Sequence, residues 1–310
     1  MVIAILAAIT IVAYTGIQQR AKESALASTL QQTVTWLAAQ KADTGGVSYP
    51  SDLTGLSQNS SYSYDYMVVD DIYCVSVSDG QATSHVVSRA TGVKLPGPCP
   101  IGHWRLAGNA SDSGLYGVNG TVSGSVSPVE NQRGESNAAY TFGSGNFIVL
   151  SNAVWDGVFN ATGPDGFSIG AWVRITAAPS DEAMTILGQH YSSSAFWGIR
   201  ATGQTILRMD DSDKGAVSNT VVPHGQWQYL TVTYTAGTDR IATYYLNGDL
   251  DGSIFVSDGS ASEHGNLYIG YQGRTDSGAN SPFYGAISDV SLYNKVLSAD
   301  EVRYLYEATK

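Results

Sequence analysis

A chain of 310 residues, 43% hydrophobic and only 14% charged, is long enough for two domains with cores of their own. Its net charge is −11, and residues 101–310 carry 11 Lys and Arg against 20 Asp and Glu; such a surface repels phosphate backbones and excludes nucleic acid as a partner. The 34 glycines and 19 tyrosines, among many Ser and Thr, point to turn-rich β structure in contact with water.

The first stretch, Met1–Tyr14 (MVIAILAAITIVAY), carries no charge, and the run stays uncharged to Gln19. It has no period-two alternation and no Gly or Pro before Gly16, which predicts a helix. Val2, Ile3, Ile5, Leu6, Ile9, Ile11, Val12 and Tyr14 make that helix apolar all round, so it needs lipid or the packed core of an assembly. Met1 to Ile17 would rise roughly 25 Å, short of the ~30 Å hydrocarbon core of a bilayer. A secretory signal peptide is the alternative, but no Lys or Arg precedes the run and no break follows it.

From Thr15 the pattern becomes amphipathic, with Ala21, Leu26, Leu30, Val34, Leu37 and Ala38 on one stripe, and it ends at Thr44-Gly45-Gly46. One helix of about 40 residues, ~60 Å long, is too long for a small domain to bury, so its first half is expected to project.

Residues 57–100 read as strands. SYSYDYMVV (Ser61–Val69) alternates Tyr62, Tyr64, Tyr66 and Val68 with polar residues, IYCVSVS (Ile72–Ser78) follows, and Asp79-Gly80 marks a turn before SHVVSRA. Cys74 and Cys99 are the only cysteines; in an exported chain a lone pair most simply forms a disulfide, worth roughly 3–4 kcal/mol, the alternative being two buried thiols. Leu95–Pro100, with three prolines, reads as a linker and domain boundary.

Met1–Lys41, followed by the loop VSYPSDLTGL (Val47–Leu56), resembles the N-terminal region of type IV pilins and pseudopilins, most specifically at Ile5–Tyr14. The resemblance implies a half-protruding helix, then a small antiparallel sheet whose C-terminal part a cysteine pair often clamps. The chain departs from the pattern at the processing site: the family's leader ending in glycine and the glutamate just inside the mature N-terminus are absent, and the register places them upstream of Met1.

From Ile101 to Lys310 short alternating segments recur between Gly, Asn and Asp turns, as in a sandwich or barrel. FSIGAWVRI (Phe167–Ile175) and YLTVTY (Tyr229–Tyr234) each place their apolar residues on one face. Asn247-Gly248 is a hairpin signal, and Ser298-Ala299-Asp300-Glu301 is a capping box opening a helix over Ala299–Tyr306. HWRLAGNASDSGLYGVNGTV, FSIGAWVR, GQWQYLTVTY, YYLNGDLDG, LYIGYQG and the closing GAISDVSLYNKVLSADEVRYLY resemble the laminin-G-like, concanavalin-A-like jelly rolls.

The expected fold class is therefore α+β: residues 1–54 form the helix and loop (apolar half 1–19), 55–100 a small pilin-type sheet and 101–310 an all-β sandwich. Glycosidases share that sandwich, but the Glu-x-Asp-x-x-Glu arrangement of its glucanases is missing, as is a Gly-x-Ser-x-Gly elbow, so no catalytic residue is assigned. The laminin-G resemblance brings an early loop close to the last long strand, which makes Asn109, Asp112 and Asp289 candidate ligands for a structural calcium ion. Trp155, Tyr191, Trp197 and Tyr271, with Gln189, Arg208 and Asp210, are the candidate ligand-contacting residues, aromatic rings for sugar faces and polar groups for hydroxyls.

The reading is a filament subunit, inserted in the cytoplasmic membrane before assembly and extracellular afterwards. Its partners would be copies of itself or other pilins, and a glycan or surface protein for its C-terminal domain. A membrane-anchored pseudopilin or surface binding protein without a long filament, and a carbohydrate-active enzyme, are the alternatives.

Overall fold

The computed structural model describes residues 2–90, 94–151, 155, 158–159, 166–178, 183–189, 195–209, 216–256, 265–272 and 281–310, with side chains for all of these except 2–20 and 216. The chain divides into two compact units, Met1–Cys99 and Pro100–Lys310.

In the first unit, helix α1 (Val2–Asp43) has 42 residues. Its buried side chains are Leu26, Leu30, Thr33 and Leu37, alternately four and three residues apart, and this face lies against strands β2 (Ile72–Ser78) and β3 (Thr83–Val87). The expected stripe is corrected at three places: Ala21 and Ala38 are exposed, and Val34 is only half-buried. Thr33 takes a core position because its hydroxyl donates to the Thr29 carbonyl at 3.1 Å, which satisfies its one side-chain polar atom inside the helix.

The helix ends at Gly45 and Gly46, with φ of +74° and +80°; the Gly46 N–H donates to the Lys41 carbonyl at 2.9 Å, closing the last turn. Among the described residues no helix is long and apolar enough to cross a membrane. The side chains of Val2, Ile3, Ile5, Leu6, Ile9, Ile11, Val12 and Tyr14, on which that expectation rested, lie outside the described residues.

β1 (Ser63–Val69), β2, β3 and β4 (Leu95–Pro96) pair antiparallel in that order. Leu95–Pro96 therefore closes a sheet edge instead of opening a linker; an edge strand is where proline, lacking an N–H, is tolerated. Cys74 on β2 is bonded to Cys99, with Cα atoms 5.9 Å apart, so the expected disulfide is present and the thiol alternative falls.

The second unit contains β5 (Gly102–Trp104), β6 (Thr121–Ser123), β7 (Ser127–Val129), β8 (Ala139–Phe142), β9 (Phe147–Leu150), β10 (Phe167–Ile175), β11 (Ala183–Gln189), β12 (Phe196–Arg200) and β13 (Gln204–Arg208). It continues with β14 (Ala216–Val221), β15 (Gln228–Thr235), β16 (Ile241–Leu246), β17 (Asp249–Phe255), β18 (Leu267–Ile269), β19 (Gly285–Tyr293) and helix α2 (Ala299–Thr309). Among the described residues one sheet runs β17-β16-β15-β10-β19-β8-β7, with β5 also on β19, and the other runs β14-β13-β12-β11-β18-β9-β6.

The alternation in each strand explains the sandwich. Phe167, Ile169, Ala171, Val173 and Ile175 of β10 share one core with Ile148 and Leu150 of β9, Trp197 and Ile199 of β12, and Leu267 and Ile269 of β18. Trp172, on the opposite face of β10, packs with Tyr229, Tyr245 and Tyr293 beneath Val302 and Leu305 of α2. That helix opens with the expected capping box: Glu301 N–H donates to Ser298 Oγ at 3.2 Å, and Ser298 N–H donates to Glu301 Oε2 at 2.8 Å. Asn247 and Gly248, with φ of +53° and +80°, turn β16 into β17 with the backbone of a type I′ hairpin.

Candidate functional site

The early loop and the last strand do come together, but their carboxylates face different partners. Asp112 is 4% exposed. Its Oδ1 accepts the N–H of His103 (2.8 Å) and Gly114 (2.7 Å), its Oδ2 accepts the N–H of Val118 (2.7 Å), and its own N–H donates to Asn119 Oδ1 (2.9 Å). Burial pushes the Asp112 carboxyl up, against the lowering effect of these donors. The loop can close this tightly because position 114 is glycine: a Cβ there would lie 2.7 Å from the Gly102 Cα.

Asp289 sits at the irregularity in β19 opposite Gly170 and Trp172, with φ of +49°. Its Oδ1 is 3.7 Å from His103 Nε2 and 3.9 Å from Arg105 Nε, and its Oδ2 accepts from Gln132 Nε2 at 3.3 Å. Burial raises Asp289, but the His103 ring, the Gln132 amide and the Arg133 charge together hold it below the usual carboxylate value.

Asn109 is exposed, and its Oδ1 accepts the Ser111 N–H at 2.9 Å in a local turn. The three expected calcium ligands thus have separate partners, N–H donors at Asp112 and basic side chains at Asp289, and they do not fit one shared cation. Among the described residues, no three His, Cys, Asp or Glu side chains are placed to hold a metal ion.

Ser113, His103 and Asp289 have the residue types of a hydrolytic triad. Ser113 Oγ lies 3.1 Å from His103 Nδ1 and also 3.1 Å from the His103 carbonyl, which can only accept. The one hydroxyl proton is thus shared between two acceptors at equal distance, and the His103–Asp289 contact ties β5 to β19.

The outward face of the second sheet carries the other candidates. Cα pairing lines up Thr121, Val149, Tyr268, Gly188, Phe196 and Arg208 in one row across β6, β9, β18, β11, β12 and β13. At one end of the row, Phe147 and Tyr271 stack with centroids 4.6 Å apart and planes 19° apart. Tyr268 meets them edge-on at 5.8 Å and 6.0 Å. All three rings are partly exposed.

Of the residues expected to touch ligand, Tyr271 belongs to this cluster, and Arg208, partly exposed, ends the row with its guanidinium 5.8 Å from the Phe196 ring. Trp155 and Trp197 are core residues, each 0% exposed, a correction to their expected role. Trp155 packs edge-on against Trp104 at 5.6 Å, and its Nε1 donates to the Leu150 carbonyl. Gln189 is 2% exposed at the end of β11, while Tyr191 and Asp210 lie outside the described residues. Sequence reading missed Phe147 and Tyr268. The signal was present: alternation in FIVL puts Phe147 and Val149 on the face opposite Ile148 and Leu150, as it puts Tyr268 opposite Leu267 and Ile269.

Two antiparallel sheets around one core, with an outward face carrying aromatic, amide and hydroxyl side chains, define a lectin-like jelly-roll sandwich. Residues 142–303 match the Laminin_G_3 profile, concanavalin A-like lectin/glucanases superfamily, and the chain belongs to that family. No curated protein matches the chain.

Among solved structures, one of botulinum neurotoxin type C, reported with cell entry dependent on two ganglioside molecules, is 16% identical with a TM-score of 0.53, over 68% of this chain and 51% of that one. The binding domain of botulinum neurotoxin DC in complex with rat synaptotagmin II is 16% identical with a TM-score of 0.51, over 68% and 52%. Domain 4 of an extracellular arabinanase from Geobacillus stearothermophilus, in complex with arabinotriose, is 17% identical with a TM-score of 0.48, over 67% and 98%. The chain spans about half the length of the toxin structures it matches, and the likeness is one of fold.

Proposed function

We propose that this chain is a surface-displayed binding protein whose C-terminal sandwich holds a glycan or protein ligand, and whose N-terminal helix assembles it into a type IV pilus-like filament. The observation that carries the binding half is the partly exposed aromatic cluster of Phe147, Tyr268 and Tyr271 on the outward face of a lectin-like sheet. Supporting the filament half is a helix of 42 residues whose described packing face begins only at Leu26, together with the disulfide-closed sheet beneath it. The proposed role is binding, not catalysis. In this reading the chain passes through the cytoplasmic membrane before assembly and ends outside the cell.

Electron microscopy of sheared surface fibres, with identification of their subunit, tests the filament half. Ile9→Asp is expected to abolish fibres while the sandwich still folds; normal fibres from that variant sink the idea. Fibre-free cells that still display the chain support a pseudopilin-like anchor instead. For the binding half, a glycan and matrix-protein screen with the full chain is run with and without chelator. A melting temperature unchanged by chelator is expected, because Asn109, Asp112 and Asp289 do not fit one shared cation, and turnover of any glycan in the screen overturns the non-catalytic role.

A further inference from the structure

The strands that end the second sheet carry no charged side chain. Although the second unit carries 31 charged residues, none falls in 118–129, 136–151 or 265–272. Those three stretches contain β6, β9 and β18, the adjacent strands that end the second sheet. They also contain Phe147, Tyr268 and Tyr271. The aromatic cluster therefore lies on and beside strands that carry no charged side chain.

Its geometry is that of a corner. Phe147 and Tyr271 lie nearly parallel, and Tyr268 stands at 65° and 61° to them, so the outer face of the stack and the edge ring present two walls. Phe147 and Tyr268 are strand residues fixed by pairing, Phe147 with Ser123 and Tyr268 with Val149 and Gly188. Around them stand exposed Thr121, half-buried Ser123 and half-buried Asn146, whose Oδ1 is held by the Ser125 N–H at 2.9 Å, which leaves its amide hydrogens to donate.

Flat rings take up the C–H face of a sugar, and hydroxyl and amide groups take up its hydroxyls. A carboxylate or sulfate moved onto this surface would give up hydration and meet no Lys or Arg on β6, β9 or β18, a cost that these strands do not offset.

Resting on the reading of the sandwich as a binding module, we infer that the Phe147–Tyr268–Tyr271 corner is its ligand site and that the ligand is a neutral glycan. Recognition is by stacking and neutral hydrogen bonds, so affinity is independent of salt. This separates it from sialylated or sulfated ligands, which need Arg or Lys partners and lose affinity as ionic strength rises.

The test uses the full chain on an array holding neutral gluco-, galacto- and arabino-oligosaccharides beside sialylated and sulfated counterparts, with affinities then measured by calorimetry. Neutral glycans are expected to bind, with a change of less than about twofold between roughly 0.05 and 0.5 M NaCl. Tyr271→Ala, outside the strands, and Phe147→Ala each are expected to weaken binding by about tenfold, equivalent to about 1.4 kcal/mol, with the melting temperature of the Tyr271 variant lowered by no more than about 5 °C.

Binding confined to sialylated or sulfated glycans, or affinity falling about tenfold or more over that salt range, overturns the neutral-ligand assignment and leaves a glycan-binding module standing. Neutral binding undiminished in the Tyr271 variant overturns the placement of the site. Absence of any glycan binding overturns this inference, and if matrix proteins also fail to bind, the binding function falls with it.

Discussion

At the scale of single residues, Asp112 and Asp289 show how one residue type is driven to opposite titration behaviour. Asp112 is buried with backbone N–H donors and the His103 ring near its carboxylate, and burial wins; Asp289 is buried too, but the His103 ring, the Gln132 amide and Arg133 win. Asp112→Asn turns one of three accepted N–H bonds into a donor facing a donor, and is expected to cost about 1–3 kcal/mol in urea unfolding at neutral pH. For Asp289 the folded value is depressed, so its contribution is full above the unfolded value, about 3.9, and is lost as pH falls through the folded value. Asp289→Asn should therefore lower stability at about pH 6 and lose less than the parent chain on going from about pH 4 to about pH 2, read from urea midpoints along the pH series. Both aspartates stood out in the sequence, but as partners of a cation. Their real partners, the Val118 N–H, the His103 ring and the Gln132 amide, lie between 6 and 186 positions away, and no spacing rule connects them.

At the scale of elements, the features that sequence foretold are those whose causes are local. The Asn247-Gly248 hairpin, the Gly45-Gly46 stop and the Ser298/Glu301 capping box each depend on a few consecutive residues with particular backbone freedom or side-chain oxygens. Ser298→Ala removes half of that box and is expected to cost about 1 kcal/mol and to loosen α2 over Trp172, seen as faster amide exchange in Val302 and Leu305. Misreadings arose where a neighbour decides. Thr33 takes the core position expected for Val34, its hydroxyl bonded within its own helix, and Leu95–Pro96 became an edge strand because β3 offered it a partner. Trp155 and Trp197 looked available for ligand in one dimension; in three, Trp104 packs against Trp155, and Trp197 lies in the core between the two sheets.

At the scale of the molecule, two compact units in one chain imply two cooperative transitions. The Cys74–Cys99 bond lies wholly within the first unit. Reduction, or the Cys74→Ser/Cys99→Ser variant, is expected to lower one calorimetric transition by roughly 3–4 kcal/mol of stability and to leave the other in place. A single transition shifted as a whole would mean that the units unfold together.

The sequence by itself determined the lectin-like sandwich, the disulfide, the local turns and caps, and a helix beginning with an uncharged run. These follow from periodicity, composition and short-range backbone chemistry, all present in consecutive residues. Only the tertiary structure decided which aromatics meet on one face and which are covered. Phe147, Tyr268 and Tyr271 meet because β9 and β18 pair, whereas Trp155 and Trp197 are buried because the two sheets close over them. A side chain's exposure is a property of what folds against it, and that partner lies on another strand.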